Sequence, residues 1–283
     1  MDTRLKQLLR AQSAETLSEI IEGLYGISDD VDRRLESRLL AADPAALAQH
    51  LKKRIQSLKR GSRFIRYGES FEFGRELDAL IKDIEGLVTT EPKAGFMIVE
   101  LFMATHEKVL NRVDDSAGCV GDAYRDGVAL WVKAAAAWRQ RDGDSGIDWL
   151  DVVERHQRGN DYGIWDPLLP LCRSLLSEVE LRELASRFEA DALREARDKP
   201  GAFGYPAIVA AVGMAGVAEA LDDVALYERA TLIHAPNPNE LQRKAIATFC
   251  LRVKDGEAAL KWLEGPWDNH QEPSRQRLMD EAL

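Results

Sequence analysis

The sequence predicts an all-α protein built of stacked antiparallel helical hairpins, an α-solenoid or superhelix. Three observations carry that prediction. Apolar residues recur at steps of three and four through most of the chain. Helix caps and breakers punctuate it every ten to twenty residues or so. No alternating run bounded by a hairpin dipeptide is present. At 283 residues the chain is too long for one four-helix bundle, and a long series of helices of similar length points to side-by-side stacking.

The N-terminal stretch MDTRLKQLLRAQSAETL has charges every few residues and no apolar core of signal-peptide length. Ser13, before AETLSEIIEGLYG, is placed to cap a helix, and Asp43 followed by Pro44 marks another start. LKKRIQSLKRGSRFIRY, residues 51 to 67, carries Leu51, Ile55 and Leu58 on a narrow apolar arc. In SFEFGRELDALIKDIEGL the apolar face is Phe73, Leu77, Leu80, Ile84 and Leu87. Pro92 opens PKAGFMIVELFMATHEKVL, which is apolar nearly all round and predicts burial at the centre of the array. Tyr124, Val128, Trp131, Ala135 and Trp138 form the next stripe, which places two tryptophans on one buried face.

Ser177 precedes EVELRELASRFEADALREA as an N-cap, and GAFGYP, residues 201 to 206, reads as an interhelical loop. NELQRKAIATFCLRVKDGEAALKWLEG reads as two helices joined at Lys254 to Gly256, a tetratricopeptide-like hairpin, although no fixed 34-residue period runs through the chain. Gly26, Gly61, Gly143 and Gly159 fall near helix ends. RQRLMDEAL stops in mid-pattern, as a truncated array or a natural terminal helix would. The expected organisation is one extended array over residues 1 to 283, with sub-boundaries near 61 to 70 and near 199 to 205.

Composition bounds the function. Hydrophobic residues make up 45% of the chain, enough for a sizeable core. The 48 acidic residues outnumber the 38 basic ones, net -10, which argues against indiscriminate binding to nucleic acid or an anionic membrane. Cys119, Cys172 and Cys250 lie far apart without a CxxC pair, so neither a disulfide framework nor a zinc ribbon is indicated and a reducing cytoplasm fits. No run of eighteen uncharged apolar residues predicts a membrane span.

Three segments hold candidate site residues. RVDDSAGCVGDAY, residues 112 to 124, groups Asp114, Asp115, Ser116, Gly118 and Asp122. An EF-hand calcium loop starting at Asp114 fails, because Gly118, Cys119 and Arg125 occupy three required ligand or glycine positions. A looser metal or catalytic site with His106 or Glu107 is one reading. The simpler one is a helix corner, with Asp122 in the first turn of the next helix. In ERHQRGNDYGIWDPLLP, Asp161, Tyr162 and Trp165 beside His156 and Asp166 suggest either a partner or ligand loop or a plug between hairpins, with Asp166 capping the next helix. Lys52, Lys53, Lys59, Arg60 and Arg63 share one arc if the helix continues past Gly61. With Arg66, Phe64 and Tyr67 they form a basic segment with aromatics, suited to a phosphate backbone or an acidic partner.

Enzyme signatures HExxH, GxSxG, GxGxxG after a strand and the P-loop are missing, the five histidines are scattered, and neither a catalytic residue nor a cofactor is indicated. KRGSRFIRYGESFEFGRELDAL, RVDDSAGCVGDAY and NDYGIWDPLLP, in this order, resemble a bacterial family of uncharacterised all-helical, solenoid-like proteins with a VDDS corner motif. The resemblance implies an all-helical fold and a bacterial cytoplasmic origin. It also draws attention to Gly121 and Gly163 beside the aspartates, and supplies no catalytic role. The expected function is therefore a protein- or peptide-binding scaffold. Nucleic-acid binding through residues 52 to 66 is the second expectation, and a metal or catalytic site at 114 to 122 the third.

Overall fold

The computed structural model describes residues 2–143, 146–160, 162–198, 204–233, 235–268 and 270–283, without the side chains of Asp30 and Ala196. The expected sub-boundary near 199 to 205, part of GAFGYP, His234 and the candidate Asp161 therefore lie wholly or partly outside the described residues. Among those described, the chain is helical with no named strand, as the 3.6-residue period requires. Two compact units are present, Met1–Trp138 and Arg139–Leu283.

The first unit contains α1 (Thr3–Arg10), α2 (Ala14–Leu24), α3 (Asp29–Leu39), α4 (Pro44–Arg60), α5 (Tyr67–Thr90), α6 (Pro92–Met103), α7 (His106–Leu110) and most of α8 (Cys119–Asp142). The sequence signals start these helices as expected. Ser13 Oγ accepts the Thr16 N–H at 3.1 Å, and Asp43 accepts those of Ala45 and Ala46 at 3.1 Å each, with Pro44 supplying a fixed φ and no orphan donor. Leu47, Leu51 and Ile55 of α4 are buried against the Leu77, Leu80, Ile84 and Leu87 stripe of α5 and the inner face of α6. Where α5 and α6 cross, a Cβ on Gly95 would stand 2.6 Å from Val88 Cα, so the contact needs glycine.

The predicted α8 stripe is buried from Tyr124 to Trp138. Phe96 sits against both tryptophans, 5.3 Å from the Trp131 ring and 5.4 Å from Trp138. Tyr124 stacks on Phe102 at 4.8 Å. Its hydroxyl donates to Thr105 Oγ1 at 2.7 Å, because the Thr105 hydroxyl proton is already given to the Phe102 carbonyl. Burial at both faces of α6 is corrected: Phe96, Val99 and Phe102 are covered, whereas Met97 and Leu101, one turn apart, are exposed.

The second unit contains α9 (Trp149–Arg158), α10 (Leu168–Leu171), α11 (Glu178–Asp198), α12 (Tyr205–Leu221), α13 (Val224–Leu232), α14 (Glu240–Arg252), α15 (Gly256–Leu263) and α16 (Glu272–Ala282). Ser177 and Glu180 form a reciprocal capping box at the start of α11, and Arg139 grips Glu180 with two bonds at 2.8 and 3.1 Å. From α11 onward each helix packs on its neighbour in sequence. The joint at Val253 to Asp255 turns on Lys254 at φ +65°, and Asp255 caps α15 through the Ala258 N–H at 3.0 Å. Ile246, Ala247, Cys250, Ala259, Leu263 and Leu278 form the core shared by α14, α15 and α16.

Candidate functional site

The 111-to-122 corner is held by its own backbone. Ile65 N–H donates to the Arg112 carbonyl at 2.8 Å and Asp114 N–H returns to the Ile65 carbonyl at 2.9 Å, an isolated parallel bridge. Asp115 accepts the Val120 N–H at 2.9 Å on one carboxylate oxygen and the Gly121 N–H at 2.7 Å on the other. Its charge therefore sits at the positive end of α8 with both oxygens engaged. Asp114 accepts from the Ser116 N–H and hydroxyl, and Asp122 takes Arg125 at 2.7 Å. Gly118, at φ +78°, supplies the left-handed residue between them. His106 Nδ1 lies 2.7 Å from the Met103 carbonyl. Among the described residues no group of three His, Cys, Asp or Glu side chains converges as a metal site.

In the 160-to-166 loop the organising residue is one the motif reading passed over. Asn160 donates to Asp166 at 2.6 Å and accepts the Trp165 N–H at 2.9 Å, which closes the loop around Gly163 at φ +66°. Asp166 thus receives a side-chain amide in place of the expected helix-capping bond. Trp165 is buried and stacks on His156 at 4.0 Å, while Tyr162 is exposed.

The basic segment is split. α4 ends at Arg60 and Gly61 turns away with ψ 130°, so the condition that would bring Arg63 onto the α4 arc fails. Lys52, Lys53, Lys59 and Arg60 remain exposed on that arc. Arg63 is held by Glu69 at 2.7 Å, and the guanidinium keeps the Glu69 carboxyl below its ordinary value. Arg66 occupies the N-cap position of α5. Phe64, Tyr67 and Phe71 are exposed, with Tyr67 and Phe71 edge to face at 5.7 Å.

An apolar surface in the second unit was not foreseen. On α12, Tyr205, Ile208 and Val212 face outward at steps of three and four, exposed by 56%, 43% and 46%. On α14, Leu241 is 61% exposed, and Ala245 and Thr248 follow it on the same side. Leu241 and Thr248 line a groove of about 440 Å³ with Tyr227 and Phe249, whose rings stack at 4.4 Å. Arg252 rims it, lying over Phe249 and bonded to Glu219 at 2.7 Å, and Lys244 stands beside it. The visible signal was the lack of charge in YPAIVAAVGMAGVAEAL before Glu219, which leaves α12 no polar outer face.

A model described as a family of unknown function (DUF6880) matches residues 3–277. No curated protein and no solved structure matches the chain.

Proposed function

The chain belongs to this family of unknown function, and from that premise we propose that it is a binding module whose second unit holds a peptide segment of a partner protein. In this reading α12 to α16 form a tetratricopeptide-like run of hairpins, part of a solenoid, with α12 and α14 presenting the receiving surface. The carrying observation is the pair of outward apolar stripes, Tyr205–Ile208–Val212 and Leu241–Ala245–Thr248. Outer helix faces of soluble proteins normally carry charge, and apolar residues grouped on an exposed face mark contact surfaces. The fitting ligand has two or three aliphatic or aromatic anchors and an acidic residue for Lys244. The three free thiols suit a reducing compartment such as the cytoplasm; among the described residues no helix is long and apolar enough to cross a membrane.

The test is selection of a displayed random-peptide library on the full chain. Enrichment of an apolar-acidic motif whose synthetic peptide loses binding on Leu241→Asp supports the reading. No enrichment, or a motif indifferent to Leu241→Asp, contradicts it.

A second reading, single-stranded nucleic acid on the first unit, is favoured by the exposed Phe64, Tyr67 and Phe71 beside Arg60 and Arg66. It requires affinity that falls steeply with salt and is abolished by Lys59→Glu with Arg60→Glu. Salt-independent binding, or none, excludes it.

A further inference from the structure

The acid excess is unevenly distributed. Residues 1–138 carry 22 acidic and 20 basic side chains, and within residues 33–66 ten Lys and Arg face two acids, Glu36 and Asp43. In that region α3, α4 and α5 enclose a cleft of about 500 Å³, a size that suits a small-molecule ligand.

The charges lining the cleft fall into two groups. Arg54 is spent on Asp83 at 2.5 Å and on the Ser37 hydroxyl, and Arg33 lies 3.8 Å from Glu76. Arg112 and Lys53 have no carboxylate within ion-pair distance among the described residues. Arg112 is anchored instead by the carbonyls of Leu58 and Arg63, each at 3.3 Å, and lies over the Phe73 ring at 5.4 Å. The anchor depends on Gly61, where a Cβ would stand 2.8 Å from Arg112 Nη2. Two buried nitrogens on residues lining the same cleft, Arg112 Nε and His50 Nε2, have no hydrogen-bond partner. A buried polar group left unpaired costs free energy. His50 Nδ1 lies 3.3 Å from Glu36, so a protonated ring would donate to Glu36 on one side and through Nε2 on the other. Phe73, Leu77 and Leu80 also line the cleft and supply its apolar surface.

We infer that the α3–α4–α5 cleft is a binding site for a small phosphomonoester with a flat or apolar portion, its phosphate received by Lys53 and Arg112 and its apolar portion packed on Phe73. A phosphate supplies a counter-charge for two uncompensated cations and accepts from the Lys53 amine and the Arg112 guanidinium. A flat ring finds a neighbour in Phe73.

The experiment is calorimetric titration of the full chain with inorganic phosphate, AMP and adenosine. AMP is expected to bind more tightly than phosphate, and adenosine not at all. Lys53→Glu, at an exposed position on the rim of the cleft, weakens AMP by at least about tenfold, whereas Lys52→Glu, next to it on the helix but not lining the cleft, changes it by less than about twofold. Arg112→Lys, which keeps the charge but loses the planar guanidinium fork, gives an intermediate loss with the far-ultraviolet spectrum unchanged. No heat from phosphate or AMP at concentrations up to about 10 mM overturns the inference. Equal weakening by Lys52→Glu and Lys53→Glu also overturns it, since that is diffuse surface charge rather than a site.

Discussion

Asp115 Oδ2 lies 2.7 Å from the Gly121 amide nitrogen, and a Cβ on Gly121 would come within 3.3 Å of that oxygen. The aspartate therefore works as the cap of α8, and the small residue at 121 lets it approach. Asp115→Ala should lower stability by about 1–2 kcal/mol, the cost of losing an N-cap. Asp114→Ala, which breaks only a local turn, should cost less than half of that. If the corner instead housed a structural metal, a chelator would lower the melting temperature of the wild type. The capping account expects no change.

Gly95 offers a sharper packing test. Alanine is favoured over glycine in a helix interior by about 1 kcal/mol, but here its Cβ meets the backbone of Val88, which cannot rotate aside. Overpacking of this kind typically costs about 1–3 kcal/mol and should win. Chemical denaturation of Gly95→Ala should show a net loss, with Gly86→Ala, where a Cβ meets nothing within 4 Å, as the stabilised or neutral control.

His50 makes stability depend on pH. Burial and the nearby Arg54 hold its pKa below the ordinary 6.5. The unfolded chain therefore binds the proton more readily, so stability rises with pH. This contribution is fully present above 6.5 and declines as pH falls from there towards the folded value. Urea denaturation between pH 7 and pH 5 should show the decline, with a shallower slope in His50→Gln. An identical slope in the variant would assign the pH dependence to other groups.

The thiols should sort by burial. Cys172 is fully buried and its pKa is pushed up to about 12 by desolvation; Cys250 is fully buried with its own raised to about 11. Neither presents a thiolate near neutrality. Cys119, partly exposed, should be the thiol that reacts in the native chain, and slowly, because burial raises its pKa as well. Mass mapping after brief alkylation checks this; native labelling of Cys172 would contradict it.

Much of the helical framework could be read directly, because period and caps are local. The Leu77-to-Leu87 and Tyr124-to-Trp138 stripes, Ser13, Asp43, Pro92 and Ser177 all act as their spacing requires. The helix corner was legible as a corner, but not which aspartate caps it, since that depends on where α8 begins. The end of α4 at Gly61 was ambiguous because glycine is tolerated within helices as well as beyond them. Tertiary facts lay outside local pattern altogether: the exposure of Met97, the Asn160 bridge, the outward face of α12, and the arrival of Arg112 beneath α4 from some fifty residues away. Each is decided by which surfaces other helices cover.

The most direct measurement of the binding-module account is the affinity of a library-selected apolar-acidic peptide for the wild-type chain and for Leu241→Asp. Because Leu241 is exposed, the substitution should leave the fold intact while placing a charge in the groove. The account predicts that affinity falls by about tenfold or more with no change in the melting temperature. Equal affinity for both proteins would contradict it.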